Sequence, residues 1–160
     1  MLTFNNRGLL VPNYNLPSTV DEMEEMFVRD IDSHARRDLF ENYKTYLNIL
    51  SEVVGHTPFV QWVDGSFTTR KPEPSDIDIV SFIPFDVVEN VESALQPLKY
   101  PQSLSFGIDA YIVKVYPSDH RLAALYYGDR AYWMDKFDKT PRNRRGVIYP
   151  KGFLELTINK

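Results

Sequence analysis

Along the chain the spacing of apolar residues changes several times, and each change marks an element. Through Val11-Pro12-Asn13-Tyr14-Asn15-Leu16-Pro17 no period survives, so residues 1–18 read as an extended N-terminal arm. Ser18 or Thr19 then caps a helix from about Val20 to Asp32, whose first turn carries Asp21 and Glu22 where the helix dipole favours negative charge. A longer helix is predicted from Ala35 to Val54. There Leu39, Tyr43, Tyr46, Leu47 and Leu50 recur every three or four residues, and Gly55 ends the run. Short apolar runs at Phe59–Val63, Ile77–Ile83 and Ile108–Tyr116 read as strands. The segment from Asp64 to Ser75, with Gly65 and two prolines, reads as a loop. A helix is expected over Val87–Leu95, ended by Pro97, and another over His120–Phe137, capped by Ser118 or Asp119. The tail, Gly146–Tyr149 and Phe153–Ile158, reads as one or two short strands. This order predicts an α+β (mixed α/β) chain built as one domain over 1–160, with a twisted mixed sheet flanked by helices and a motif-bearing core at 59–116.

Composition narrows the function classes. The absence of cysteine excludes disulfides, thiolate metal sites and a cysteine nucleophile, and fits a reducing cytoplasm. No stretch approaches the roughly 20 apolar residues that cross a bilayer, and the N-terminus lacks a signal-peptide core, so the expected location is cytoplasmic, without a membrane partner. A net charge of −4 argues against a general nucleic-acid binder, and no DNA partner is expected. Basic residues do gather late, at Lys136, Lys139, Arg142, Arg144, Arg145 and Lys151, which leaves room for a local anion site, although such runs are more often solvated faces. His34, His56 and His120 have no ligand spacing to one another. Tyr126-Tyr127 and Tyr132-Trp133 read as core or interface, not as a base-stacking platform.

The chemistry-bearing residues cluster around the first two long strands. Gly65 directly follows a strand, where only glycine lets the main chain turn sharply and bring its N–H groups up to phosphate oxygens. Ser66 adds a hydroxyl donor. Asp76 and Asp78, two residues apart, project to one face of a strand, while Ile77 and Ile79 point the other way into the core. Two carboxylates so placed repel unless a cation lies between them, and Mg²⁺ or Mn²⁺ suits an all-oxygen set. Asp109 lies one residue into an apolar strand and joins the cluster if that strand lies beside Asp76-Asp78. Arg70 and Lys71, in the intervening loop, are candidates to neutralise phosphate charge, against the equally weighted reading of exposed loop charges.

Gly65-Ser66, nine intervening residues, then Asp76-Ile77-Asp78, followed by a later strand bearing Asp109, resembles the signature of the DNA polymerase beta-like nucleotidyltransferase superfamily. The resemblance implies a nucleotidyltransferase fold in which Gly65-Ser66 hold the triphosphate of an NTP, with ATP the default. It also implies that Asp76 and Asp78 bind two metal ions, and that Asp109 bridges the catalytic metal and helps activate a hydroxyl of a protein or RNA acceptor. The fuller string from Asp64 to Asp78 looks like small stand-alone prokaryotic nucleotidyltransferases, some of whose relatives belong to toxin–antitoxin or antiphage modules with a cognate partner protein. Two departures stand out. Asp64 occupies a usually apolar position, which the pattern accommodates if Asp64 faces solvent, and no acceptor- or nucleobase-binding domain follows. The shortness of the chain keeps a second expectation in view, a non-catalytic binding partner such as an antitoxin or regulator.

Overall fold

The structure is a computed structural model describing residues 1–159. Its centre is a five-stranded mixed sheet made of β3 (Asn15–Ser18), β4 (Phe59–Asp64), β5 (Ile77–Pro84), β6 (Ile108–Val115) and β7 (Phe153–Ile158). The order across the sheet is β3-β7-β4-β5-β6. The outer pairs β3/β7 and β5/β6 run parallel, and the inner pairs are antiparallel. A separate two-stranded ribbon, β1 (Thr3–Phe4) with β2 (Leu10–Val11), precedes it. The N-terminal arm is thus extended but paired, and its last four residues form a sheet strand.

The two faces of the sheet carry different loads. Val63, Ile77, Ile79, Ile83, Ile108 and Leu154 point to one face and are buried under α1 (Val20–Glu24), its π-helical continuation through Arg29, and α2 (His34–Val53). The stripe predicted for α2 is the stripe that is buried, at Leu39, Tyr43, Tyr46, Leu47 and Leu50. Thr19, one of the two predicted caps, accepts the Glu22 N–H at 3.1 Å. The segment read as one helix over Val87–Leu95 is two short ones, α3 (Phe85–Asn90) and α4 (Glu92–Leu95), on this same side.

The opposite face carries Trp62, Val80, Phe82, Val113 and Phe153 under α5 (Ala123–Phe137), which packs Trp133 and Phe137 against them. This helix begins three residues later than read, and neither Ser118 nor Asp119 caps it; His120 Nδ1 accepts the Leu122 N–H instead. Of the two tail segments only Phe153–Ile158 is a strand. Residues 146–149 belong to an exposed loop closed by Gly146 at φ 77° and by a bond from Arg142 to the Gly146 carbonyl. Among the described residues no helix is long and apolar enough to cross a membrane.

Candidate active site

Register brings the acids together. Asp78 near the start of β5 pairs with Asp64 at the end of β4 on one side and with Asp109 near the start of β6 on the other. Residues directly opposite in neighbouring strands share a face, so the three line up across the sheet on the α5 side, and Asp76 joins them by two-residue alternation. Gly107, at φ 73°, starts β6 in phase by accepting the Ile77 N–H at 3.0 Å. The condition set for Asp109, that its strand lie beside Asp76-Asp78, is met. Asp109 Oδ1 is buried without a hydrogen-bond partner.

The electrostatics follow from that crowding. Burial, then the charges of Asp76, Asp64 and Asp109, push the Asp78 carboxyl up to about 7. Burial and Asp109 also raise Asp76, partly offset by Lys71. The neighbouring Tyr111 phenol is pushed up to about 12 by burial and by Asp109. Among the described residues no three His, Asp or Glu side chains converge tightly enough in these rotamers to chelate an ion outright. The donor chemistry nevertheless suits a hard divalent cation: all-oxygen, like-charged, and including a buried carboxylate oxygen with nothing to accept from.

The bend that follows β4 is shaped for close approach. Gly65 adopts φ 83°, ψ −165°, a conformation that favours glycine, and a Cβ there would overlap Asp78 Oδ2 with Asp78 Cγ 3.0 Å away. Gly65→Ala is therefore expected to push Asp78 out of line. It should cost about 1–3 kcal/mol of stability, readable by urea unfolding.

Two buried charges that sequence reasoning did not assign hold this bend. Asp64 does not face solvent; it is 5% exposed and forms an ion pair with Lys151, itself 3% exposed just before β7. An ordinary apolar residue at that position would leave the buried Lys151 ammonium with the Phe137 carbonyl and no counter-charge, and Lys151 is what permits an acid there. Burial still dominates, pushing Asp64 up to about 6 against the opposing pull of Lys151, the Gly65 N–H and Thr68. Lys151→Met should cost about 3–5 kcal/mol, because it strands a buried carboxylate, and adding Asp64→Asn should restore most of that in a double-mutant cycle.

Arg36, fully buried on α2, holds the bend from the other side. Its guanidinium donates to the carbonyls of Phe27 (3.0 Å), Phe67 (2.7 Å), Ser66 (3.4 Å), Thr69 (2.7 Å) and Lys71. Desolvation lowers its pKa to about 10, so it remains charged at neutral pH.

Asp64, Gly65, Ser66 and Asp78 line a cavity of about 330 Å³ whose other wall is built by Lys136, Lys139 and Lys151. Part of the late basic segment thus returns to the acids. Lys139 is engaged by Asp135 and Asp138, and the Lys136 ammonium lies 5.5 Å from the Trp133 ring centroid. Arg142, Arg144 and Arg145 stay exposed in their loop. Arg70 and Lys71 do not line the cavity. The Arg70 guanidinium lies over the Phe4 ring at 4.6 Å and the Arg70 backbone N–H donates to the Gly8 carbonyl, tying the loop to the N-terminal ribbon. Lys71 is exposed and acts on Asp76 through charge.

Fold and site together define an α+β protein with a carboxylate row and a glycine bend at one end of three adjacent strands of a mixed sheet. Residues 2–157 match the family described as "Family of unknown function (DUF6932)", and the chain belongs to that family. No curated protein and no solved structure matches the chain.

Proposed function

We propose that the chain is a metal-dependent nucleotidyltransferase, transferring a nucleoside monophosphate from an NTP to a hydroxyl of a protein or RNA. The observation that carries this reading is the in-register row Asp78-Asp109, with Asp76 two residues away and Gly65 pressed against Asp78. Each residue then has a definite task. The Gly65 backbone and the Ser66 hydroxyl would receive phosphate oxygens, and Lys136 and Lys139, across the cavity, would balance their charge. Asp76, Asp78 and Asp109 would hold Mg²⁺ or Mn²⁺, which when bound supplies charge neutralisation at the phosphates and acidifies the acceptor hydroxyl. In the balanced reaction the acceptor oxygen bonds to the α-phosphorus, the α–β bridging bond breaks, pyrophosphate leaves, and the hydroxyl proton passes to a site carboxylate or water.

Incubation with α-labelled ATP, CTP, GTP and UTP and candidate protein and RNA acceptors tests the proposal, with label expected on one acceptor class in the presence of Mg²⁺ or Mn²⁺. Folded protein that binds neither nucleotide nor metal would contradict it. The contrary reading is a non-catalytic partner that keeps the fold. That reading gains if Asp76→Ala with Asp78→Ala leaves biological activity intact.

A further inference from the structure

A second cavity, of about 420 Å³, opens on the α5 face at the other end of the strands. Trp62, Phe82, Val115 and Tyr126 supply an apolar wall, and the charged residues at it are Arg130 and Glu155. Along β4, Val60 at this cavity and Asp64 at the carboxylate row are four residues apart, roughly 13 Å at strand rise. Trp62 and Phe153 fill the space between.

The two charges converge on one indole. The Arg130 guanidinium lies 5.1 Å from the Trp62 ring centroid, and Glu155 Oε2 accepts the Trp62 Nε1–H at 2.8 Å. Glu155 Oε2 also accepts from Asn15 at 2.6 Å, which fixes the carboxylate in place, and Oε1 accepts from no described residue. Arg130 forms no ion pair and donates no hydrogen bond among the described residues, to Glu155 or to anything else. A simple anion at Arg130 would be repelled by Glu155, and a simple cation at Glu155 would be repelled by Arg130. A ligand carrying both charges close together satisfies both, and an apolar substituent on it meets the wall.

We infer that this cavity binds a small zwitterion, an α-amino acid with an aromatic or branched aliphatic side chain, its carboxylate on Arg130 and its ammonium on Glu155. The site is independent of the carboxylate row and of the activity proposed there. Its floor supplies a reporter, because the Trp62 indole N–H bonds directly to Glu155 and the chain has two tryptophans, hence two indole resonances.

Titration of the ¹⁵N-labelled full chain with L-phenylalanine and with L-leucine should move the Trp62 indole resonance saturably by about 10 mM, a concentration that nearly fills a site of millimolar affinity. 3-Phenylpropionate and phenethylamine, each with one charge removed, should bind at least about tenfold more weakly. Arg130→Gln should abolish the preference for phenylalanine over phenethylamine, and Glu155→Gln, which keeps an acceptor for Trp62, should abolish that over 3-phenylpropionate. Asp78→Asn should bind the amino acid as the parent does. The inference is overturned if neither amino acid gives a saturable shift, or if the singly charged analogues bind as tightly, or if the Arg130 and Glu155 variants, shown folded by their spectra, bind unchanged.

Discussion

Asp78→Asn should lower the proposed nucleotidyl transfer by at least about 10²–10³-fold while making the metal-free protein more stable at pH 8. The two effects have one cause. Asp78 sits between Asp64 and Asp109 in register, with Asp76 two residues away, and its carboxyl is held at about 7 against an ordinary 3.8. A carboxyl raised in the folded state binds its proton more tightly there than in the unfolded chain. Folding is therefore penalised as pH rises from about 4 to about 7, and the whole penalty is present above that. Asparagine has no such titration, so its advantage in Tm should be near zero at pH 4 and fully developed at pH 8. At a chain of this length each kcal/mol corresponds to about 2–4 °C. The repulsion that costs stability is what a divalent cation would relieve. Added Mg²⁺ with NTP should accordingly raise the Tm of the parent protein at pH 8 and leave that of Asp78→Asn nearly unmoved. Thermal scans at the two pH values, with and without Mg²⁺ and nucleotide, read all of these quantities.

The second large effect belongs to stability. Arg36→Met should cost more than about 3 kcal/mol, because it takes the guanidinium donor from the inward-facing carbonyls of Phe67, Thr69 and Lys71. Arg36→Lys should rescue little: the carbonyls of Phe27, Phe67, Ser66, Thr69 and Lys71 are spread around a planar fork, and a single ammonium cannot span them. Urea midpoints would measure the loss. On the proposed function, nucleotide titration of Arg36→Lys, carried out where it remains folded, should show weakened binding, since the released loop carries Gly65 and Ser66. Unchanged midpoints would mean that the loop is held by other contacts.

What could be read in the sequence was local. The α2 stripe, the three long strands and the alternation that sends Ile77 and Ile79 inward while Asp76 and Asp78 face the α5 side all follow from periods of 3.6 and 2, and the structure keeps them. The pairing of Asp78 with Asp109 needed β6 beside β5, a long-range fact that spacing could only pose as a condition. Strand order was likewise out of reach. The last strand, β7, inserts between β3 and β4, and this buries Lys151 beside Asp64 and turns two seemingly surface charges into an internal pair. Arg36 was hidden for the same reason, since an arginine in a helix reads as solvated until the chain beyond it folds over the guanidinium. Arg70 was legible as a loop charge, but its partner, Phe4, lies in a paired ribbon that the sequence read only as an extended arm.

The central claim is that Asp76, Asp78 and Asp109 hold a divalent cation beside the Gly65 bend, and Mn²⁺ titration of ¹⁵N-labelled protein in the presence of a non-hydrolysable ATP analogue tests it most directly. The account predicts paramagnetic broadening that spreads outward from Gly65, Asp78 and Asp109 and disappears in Asp78→Asn with Asp109→Asn. Broadening centred elsewhere, or unchanged in that double variant, would contradict it.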